Sequence, residues 1–280
     1  MRPTQRQFID LTVALDETTP EPFPTKISRI RHGQGVRHLN RAIVYSRKKP
    51  LLQNLKHALQ YALGTRRFKK DDFPEGEFLS LEKVTASVHA GTHLDAPYHF
   101  GSRCEGRPAK TIDQVPLEWC YGSGVVLDLT HKKPGELIVP EDVKSALARV
   151  DYSLKPYDIV LIRTGADKLW GTKEYFFQHP AMSREATEWI VGQGVKIIGI
   201  DSPGFDRPFG AMIHDYFKTR DPKHLWPAHL FGREKEYCHI ERLANLDKIP
   251  VPFGFTVACF PIKIAKAGAG WIRPVAIIDG

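Results

Sequence analysis

Apolar positions along the chain follow two different spacings, and the change between them separates predicted helices from predicted strands. Leu51, Leu55, Leu59 and Leu63 recur at i+4 between Pro50 and Gly64. This predicts a helix opened by proline and closed by glycine, with the leucine stripe serving core or interface packing. Short apolar runs rich in β-branched residues predict strands at residues 8–13, 84–88, 124–129, 158–163, 195–201 and 255–260. Pro140-Glu-Asp opens a helix over about 140–149, and Ser183 is a fitting N-cap for another over about 184–193. Strands alternating with helices predict an α/β fold of mixed β-sheets with flanking helices. With no internal repeat and no flexible linker, one domain over residues 1–280 is expected.

Composition narrows the classes. Hydrophobic residues at 42% and charged residues at 26% are those of a folded globular chain. No apolar run reaches the roughly 18 residues of a membrane span, and the start of the chain has no continuous secretory stretch. Cys104, Cys120, Cys238 and Cys259 lie far apart without a C-x-x-C, which argues against a zinc ribbon or a disulfide framework. A cytoplasmic location is expected.

The net charge of +8 is unevenly placed. Residues 1–80 hold 15 Lys/Arg against 8 Asp/Glu, and residues 26–70 hold 13 Lys/Arg with no acidic residue at all. Such a segment suits a solvated face, a contact with another subunit, or an anionic substrate. No RRM, KH or zinc-finger pattern accompanies it, so no specific nucleic acid is expected as a partner.

The chemistry concentrates in His89-Ala-Gly-Thr-His-Leu-Asp-Ala-Pro-Tyr-His-Phe100. Three histidines and an aspartate fall within 11 residues, where composition alone would place roughly 0.5 histidine. Imidazole and carboxylate together suit zinc, manganese or iron. Although His89 and His93 are four apart, Gly91 and Pro97 argue against a continuous helix. The expectation is a strand end and tight loop that fold His89, His93 and Asp95 toward one point. Gly91 would allow a close or positive-φ backbone turn, Pro97 would keep the next segment extended, and His99 could reach the same place without being a ligand.

The pattern H-x-G-T-H-x-D-x-P-x-H, filled here by His89, Gly91, Thr92, His93, Asp95, Pro97 and His99, resembles the signature of the metal-dependent hydrolase/cyclase family that includes bacterial kynurenine formamidase and isatin hydrolase. Residues 194–203 resemble a second family segment. His229 and Glu241 stand at the family's His-x11-Glu spacing before an LANL run, with His224 and His239 nearby. The resemblance covers about 8–18 and 80–280, leaving a basic helical insertion at about 19–79. It implies a swivelling β/β/α, cyclase-like fold, assembled as a homodimer or higher homo-oligomer. It also implies one or two divalent ions, zinc or manganese. His89, His93 and Asp95 would bind the first, Asp95, His229 and Glu241 a second, and His99 would be the acid/base. Residues 201–212, 225–229 and 267–271 are similar to longer cyclases of aromatic polyketide pathways that share the histidine motif.

Two other motifs carry less. Gly199-Ile-Asp-Ser202-Pro-Gly204 has one residue too many before its serine for a nucleophile elbow, and Pro203 lacks the N–H an oxyanion hole needs. Cys238 beside His239 reads as structural, because adjacent residues on one element point apart. The leading expectation is a divalent-metal hydrolase of amide, ester or cyclic acyl substrates (carbon–nitrogen bonds other than peptide bonds). Its small-molecule substrate could be anionic, and no membrane partner is expected. The rivals are a ring-closing cyclase and a non-enzymatic basic anion-binding module with a structural metal.

Overall fold

A computed structural model describes residues 6–46 and 48–280. The chain divides into two compact units, one formed by Ser87–Gly280 with the segment preceding Thr25, the other by Thr25–Ala86.

The larger unit is built on a nine-stranded sheet. Its strands in chain order are β1 (Gln7–Asp10), β2 (His93–Asp95), β3 (Tyr121–Asp128), β4 (Ile159–Arg163), β5 (Ile197–Ile200), β6 (Cys238–Glu241), β7 (Phe253–Ala258), β8 (Ala269–Trp271) and β9 (Val275–Ile278). They lie in the order β1-β9-β7-β3-β4-β5-β6-β2-β8. From β3 to β6 neighbouring strands are parallel, and the outer pairings are antiparallel, so the sheet is mixed as the sequence predicts. The middle strands are continuous apolar runs because both faces are covered. Val125, Leu127, Val160, Ile162, Ile198 and Ile200 pack on one side, Val126, Leu161 and Ile197 on the other. Truncating a residue such as Leu161, which is fully buried, costs about 2–5 kcal/mol.

The helices of this unit are α1 (Pro97–Phe100), α2 (Pro140–Arg149), α3 (Arg184–Gly192), α4 (Phe209–Thr219) and α5 (Pro227–Phe231). Local chemistry explains the starts of α2 and α3. Pro140 occupies the first turn of α2, where its missing N–H costs nothing. The Ser183 hydroxyl accepts the Ala186 N–H at 3.0 Å and caps α3. Val143, Ala146 and Leu147 of α2 and Ala186 and Ile190 of α3 turn their buried faces into the core.

In the smaller unit, strand Lys26–Ile30 pairs antiparallel with Leu81–Thr85, and helices His32–Val44 and Leu51–Ala62 lie between them in sequence. Where the sequence reading places an insertion at about 19–79, the compact unit runs Thr25–Ala86. Leu51, Leu55, Leu59 and Leu63 are exposed, so that stripe adds nothing to a core. The expected helix 50–64 is present as Leu51–Ala62. All four cysteines are free and buried. Among the described residues no helix is long and apolar enough to cross a membrane.

Candidate metal centre

The site grows from one antiparallel strand pair. β2 lies between β6 and β8, and its register sets Asp95 opposite His239 and His93 opposite Glu241. Side chains alternate across a strand, so these four share one face while Leu94 and Ile240 enter the core on the other. The loop into β2 is pinned. Gly91 adopts φ +63°, a conformation that strains any residue with a Cβ, and its N–H donates to Glu21 Oε1 at 2.8 Å. Both Glu21 oxygens accept from Arg242 Nη1 at 2.5 and 2.6 Å. The Thr92 hydroxyl donates to the Arg242 carbonyl at 2.6 Å and accepts the Val13 N–H at 3.0 Å.

One expectation fails locally. Pro97 does not hold an extended segment; it takes the first position of α1, where its fixed φ already suits a helix. That single turn carries His99, whose Nε2 lies 3.9 Å from Asp95 Oδ2. Gly268 allows the close packing behind it, since a Cβ there would sit 3.3 Å from His99 Cα.

Hydrogen-bond accounting shows what the centre lacks. His93 Nδ1–H donates to the Gly91 carbonyl at 2.9 Å, leaving the Nε2 lone pair facing outward. That lone pair points at Asp95 Oδ1 (3.6 Å) and Glu241 Oε2 (3.5 Å), groups that can only accept when ionised. His229, on α5, is fixed the same way. Asp206 accepts its Nδ1–H at 2.5 Å, its backbone N–H at 3.1 Å and the Ala228 N–H at 2.8 Å, and Nε2 lies 3.5 Å from Glu241 Oε1. His239 Nε2 is 2.9 Å from Asp95 Oδ2 and 3.3 Å from Glu241 Oε1. His89 Nδ1 comes within 2.9 Å of Asp95 Oδ1 without the alignment of a hydrogen bond. His93 Nε2 and Asp95 Oδ1 are left buried with no hydrogen-bond partner.

Two buried atoms without hydrogen-bond partners, an imidazole nitrogen and a carboxylate oxygen facing each other, are a pair that a cation would satisfy. Around a tetrahedral ion with bonds of about 2.1 Å, ligand atoms lie about 3.4 Å apart; the spacings of His93 to Asp95 and Glu241, and of His229 and His239 to Glu241, are 3.3–3.6 Å, while His89 and His239 stand closer to Asp95, at 2.9 Å. Mixed imidazole and carboxylate donors suit zinc or manganese.

The electrostatics agree. Burial pushes both carboxyls up, yet the imidazoles more than reverse it. His99, His93 and the His239 hydrogen bond hold Asp95 well below the ordinary range, and His239 and His93 do the same for Glu241. Burial lowers His239, but its hydrogen bonds to Asp95 and Glu241 outweigh this and leave it raised to about 9. Burial lowers His99 to about 4, with the charges of His89, His229 and His239 adding to that effect and Asp95 opposing it. His99 is therefore neutral at pH 7 and partly exposed, with a lone pair free to take a proton.

All six residues singled out by sequence (His89, His93, Asp95, His99, His229 and Glu241) meet here. His224 lies elsewhere, lining a cavity of about 680 Å³. Sequence reasoning set His239 aside as structural; it stands inside the centre, while Cys238 does point away into the core. The available signal was i,i+2 spacing from Glu241 on a strand, which puts both side chains on one face. Asp206, which holds the His229 tautomer, was also missed. Ser202 shows no nucleophile geometry: its hydroxyl donates to the Gly204 carbonyl at 2.7 Å.

Residues 9–207 match the sequence profile of the Cyclase family, described as "Putative cyclase". The match contains His89 to His99 and ends before His229, His239 and Glu241. The chain is 28% identical over 198 residues to kynurenine formamidase of Bordetella pertussis (strain Tohama I), covering 70% of this chain and 80% of that protein. It is 24% identical over 216 residues to cyclase-like protein 2 of Oryza sativa subsp. japonica, covering 74% and 69%. Among solved structures, an isatin hydrolase bound to the product analogue thioisatinate superposes with a TM-score of 0.69 at 19% identity, covering 98% of this chain and 93% of that one. That likeness establishes the mixed α/β fold.

Proposed function

The chain belongs to the putative cyclase family, and from that premise we propose that it is a divalent-metal-dependent hydrolase that opens an amide, ester or cyclic acyl bond of a small molecule. The observation that carries this is the convergence of the His93 and His229 imidazoles on Asp95 and Glu241, with the partly exposed His99 beside them. Similarity to kynurenine formamidase and to an isatin hydrolase fold supports carbon–nitrogen bonds as the target class.

His89, His93 and Asp95 would hold one ion, and Asp95, His229 and Glu241 would hold a second. When bound, a divalent cation supplies Lewis acidity toward the acyl oxygen and lowers the pKa of water from 15.7 to about 7. Asp95 and Glu241 supply the negative charge that retains it. Glu21 and Arg242 hold the Gly91 loop, and with it the positions of His89 and His93. His99, unprotonated at neutral pH, takes the proton of the attacking water at Nε2 and returns it to the leaving nitrogen or oxygen.

Incubating the metal-loaded protein with N-formyl amides, lactones and cyclic imides in ¹⁸O-labelled water tests the reading. Label in a newly formed carboxylate is expected. A ring-closed product free of label would replace hydrolysis with cyclisation, the activity named by the family description and the rice relative.

A further inference from the structure

We propose that His239 is a metal ligand, and that with Asp95, His229 and Glu241 it makes a closed, four-donor cation position behind an open one. This rests on the reading of the site as a metal centre and goes beyond it by assigning a ligand and ranking two positions.

Each carboxylate turns one oxygen to either side, Glu241 Oε2 facing His93 at 3.5 Å. Asp95 Oδ1 faces His89 at 2.9 Å and His93 at 3.6 Å. Asp95 Oδ2 faces His239 at 2.9 Å, and Glu241 Oε1 faces His239 at 3.3 Å and His229 at 3.5 Å. One donor atom from each of Asp95, His229, His239 and Glu241 lies within 4.8 Å of all the others. Asp95 thus turns Oδ1 to the outer group of donors and Oδ2 to the inner one.

His239 is built for this task. It is fully buried, and its ring stacks on Phe205 at 4.1 Å with an interplanar angle of 13°, which fixes the imidazole plane. Tyr237 donates its only hydroxyl proton to the Ala228 carbonyl at 3.0 Å, so toward His239 Nδ1, 3.5 Å away, the hydroxyl can only accept. That leaves Nδ1–H as a donor to the hydroxyl, so a cation that displaced the Nε2 proton would meet a lone pair lying between two carboxylates. Such an outer partner is how metal-ligating histidines are commonly oriented.

Four protein donors leave no free position on a tetrahedral ion, whereas catalytic ions keep one open. An ion held by Asp95, His229, His239 and Glu241 would therefore be retained and structural. The outer position, beside the partly exposed His89 and His99, would be the exchangeable one and the one open to substrate.

The test uses the full chain loaded with Zn²⁺ or Co²⁺, dialysed against increasing chelator, with metal counted by mass spectrometry. Wild type is expected to hold two ions and to keep one at chelator levels that strip the other. His239→Gln and His239→Leu should weaken the retained ion at least about 10-fold, spare the outer one and lower the visible absorption of tetrahedral Co²⁺ by the inner ion's share. Two ions with unchanged affinity and spectrum in folded His239→Gln would overturn the proposal. So would a single ion in wild type, whatever the variants do. Hydrolysis with one ion would sink only this inference; a wild-type chain that takes up no ion would sink the proposed function as well.

Discussion

Asp95 and His239 stand opposite each other across an antiparallel strand pair, 144 residues apart in sequence, and their side chains meet at 2.9 Å. The sheet register places an imidazole against the carboxylate at the heart of the histidine motif. A one-residue slip of β6 would turn both His239 and Glu241 to the opposite face. The centre is therefore a product of strand pairing as much as of its short motif.

His99 sits beside the donors on its own helical turn. Replacing it with alanine should lower turnover by about 10²–10⁴-fold while metal content stays at the wild-type level. Parallel kinetics and metal analysis check this, and loss of metal along with turnover would make His99 a ligand instead.

Glu21 and Arg242 form a nearly buried ion pair that also anchors the Gly91 N–H. Glu21→Ala would leave the guanidinium uncompensated and should cost about 3–5 kcal/mol in urea unfolding. An effect below about 1 kcal/mol would show that solvent reaches the pair and that the loop does not depend on it.

Gly91 at φ +63° has room for a methyl group, its nearest neighbour being Leu15 Cδ1 at 3.6 Å from the added Cβ. The cost of Gly91→Ala is then backbone strain, about 1–2 kcal/mol. Metal affinity should fall with it as the loop between His89 and His93 shifts. Thermal denaturation and metal titration of the variant read both effects, and unchanged values in both would remove the need for glycine.

Asp201 gives a pH prediction separate from the metal centre. Burial raises its carboxyl from 3.8 to about 7, although Thr164 and Gly165 donate hydrogen bonds to it. The folded state thus holds this proton more tightly than the unfolded chain. Its stabilising contribution is complete below about pH 4 and disappears as pH rises through 7. In Asp201→Asn that part of the pH dependence should vanish, so the fall in unfolding free energy between pH 5 and 8 becomes smaller than in wild type. Parallel slopes for the two proteins would refute it.

Much of this was legible in sequence where the cause is local. His89, His93, Asp95 and His99 lie within 11 residues, and Pro140 and Ser183 announce helix starts through the chemistry of single turns. What required the structure depends on distant pairing. Nothing near residue 239 says that β6 lies against β2, and nothing near Asp206 says that its carboxylate will hold a histidine 23 positions later. Pro97 misled because proline suits both extended chain and the first turn of a helix; the short turn to His99 chose the second. The leucine stripe predicted its helix correctly, but periodicity alone does not say whether a face is covered.

The most direct measurement is equilibrium binding of Zn²⁺ or Mn²⁺ to chelator-stripped wild type and to Asp95→Asn, with circular dichroism to establish that both are folded. Asp95 belongs to both proposed ion positions, so wild type should bind tightly and the variant at least about 100-fold more weakly. Equal binding by the two, or none by wild type, would contradict the account.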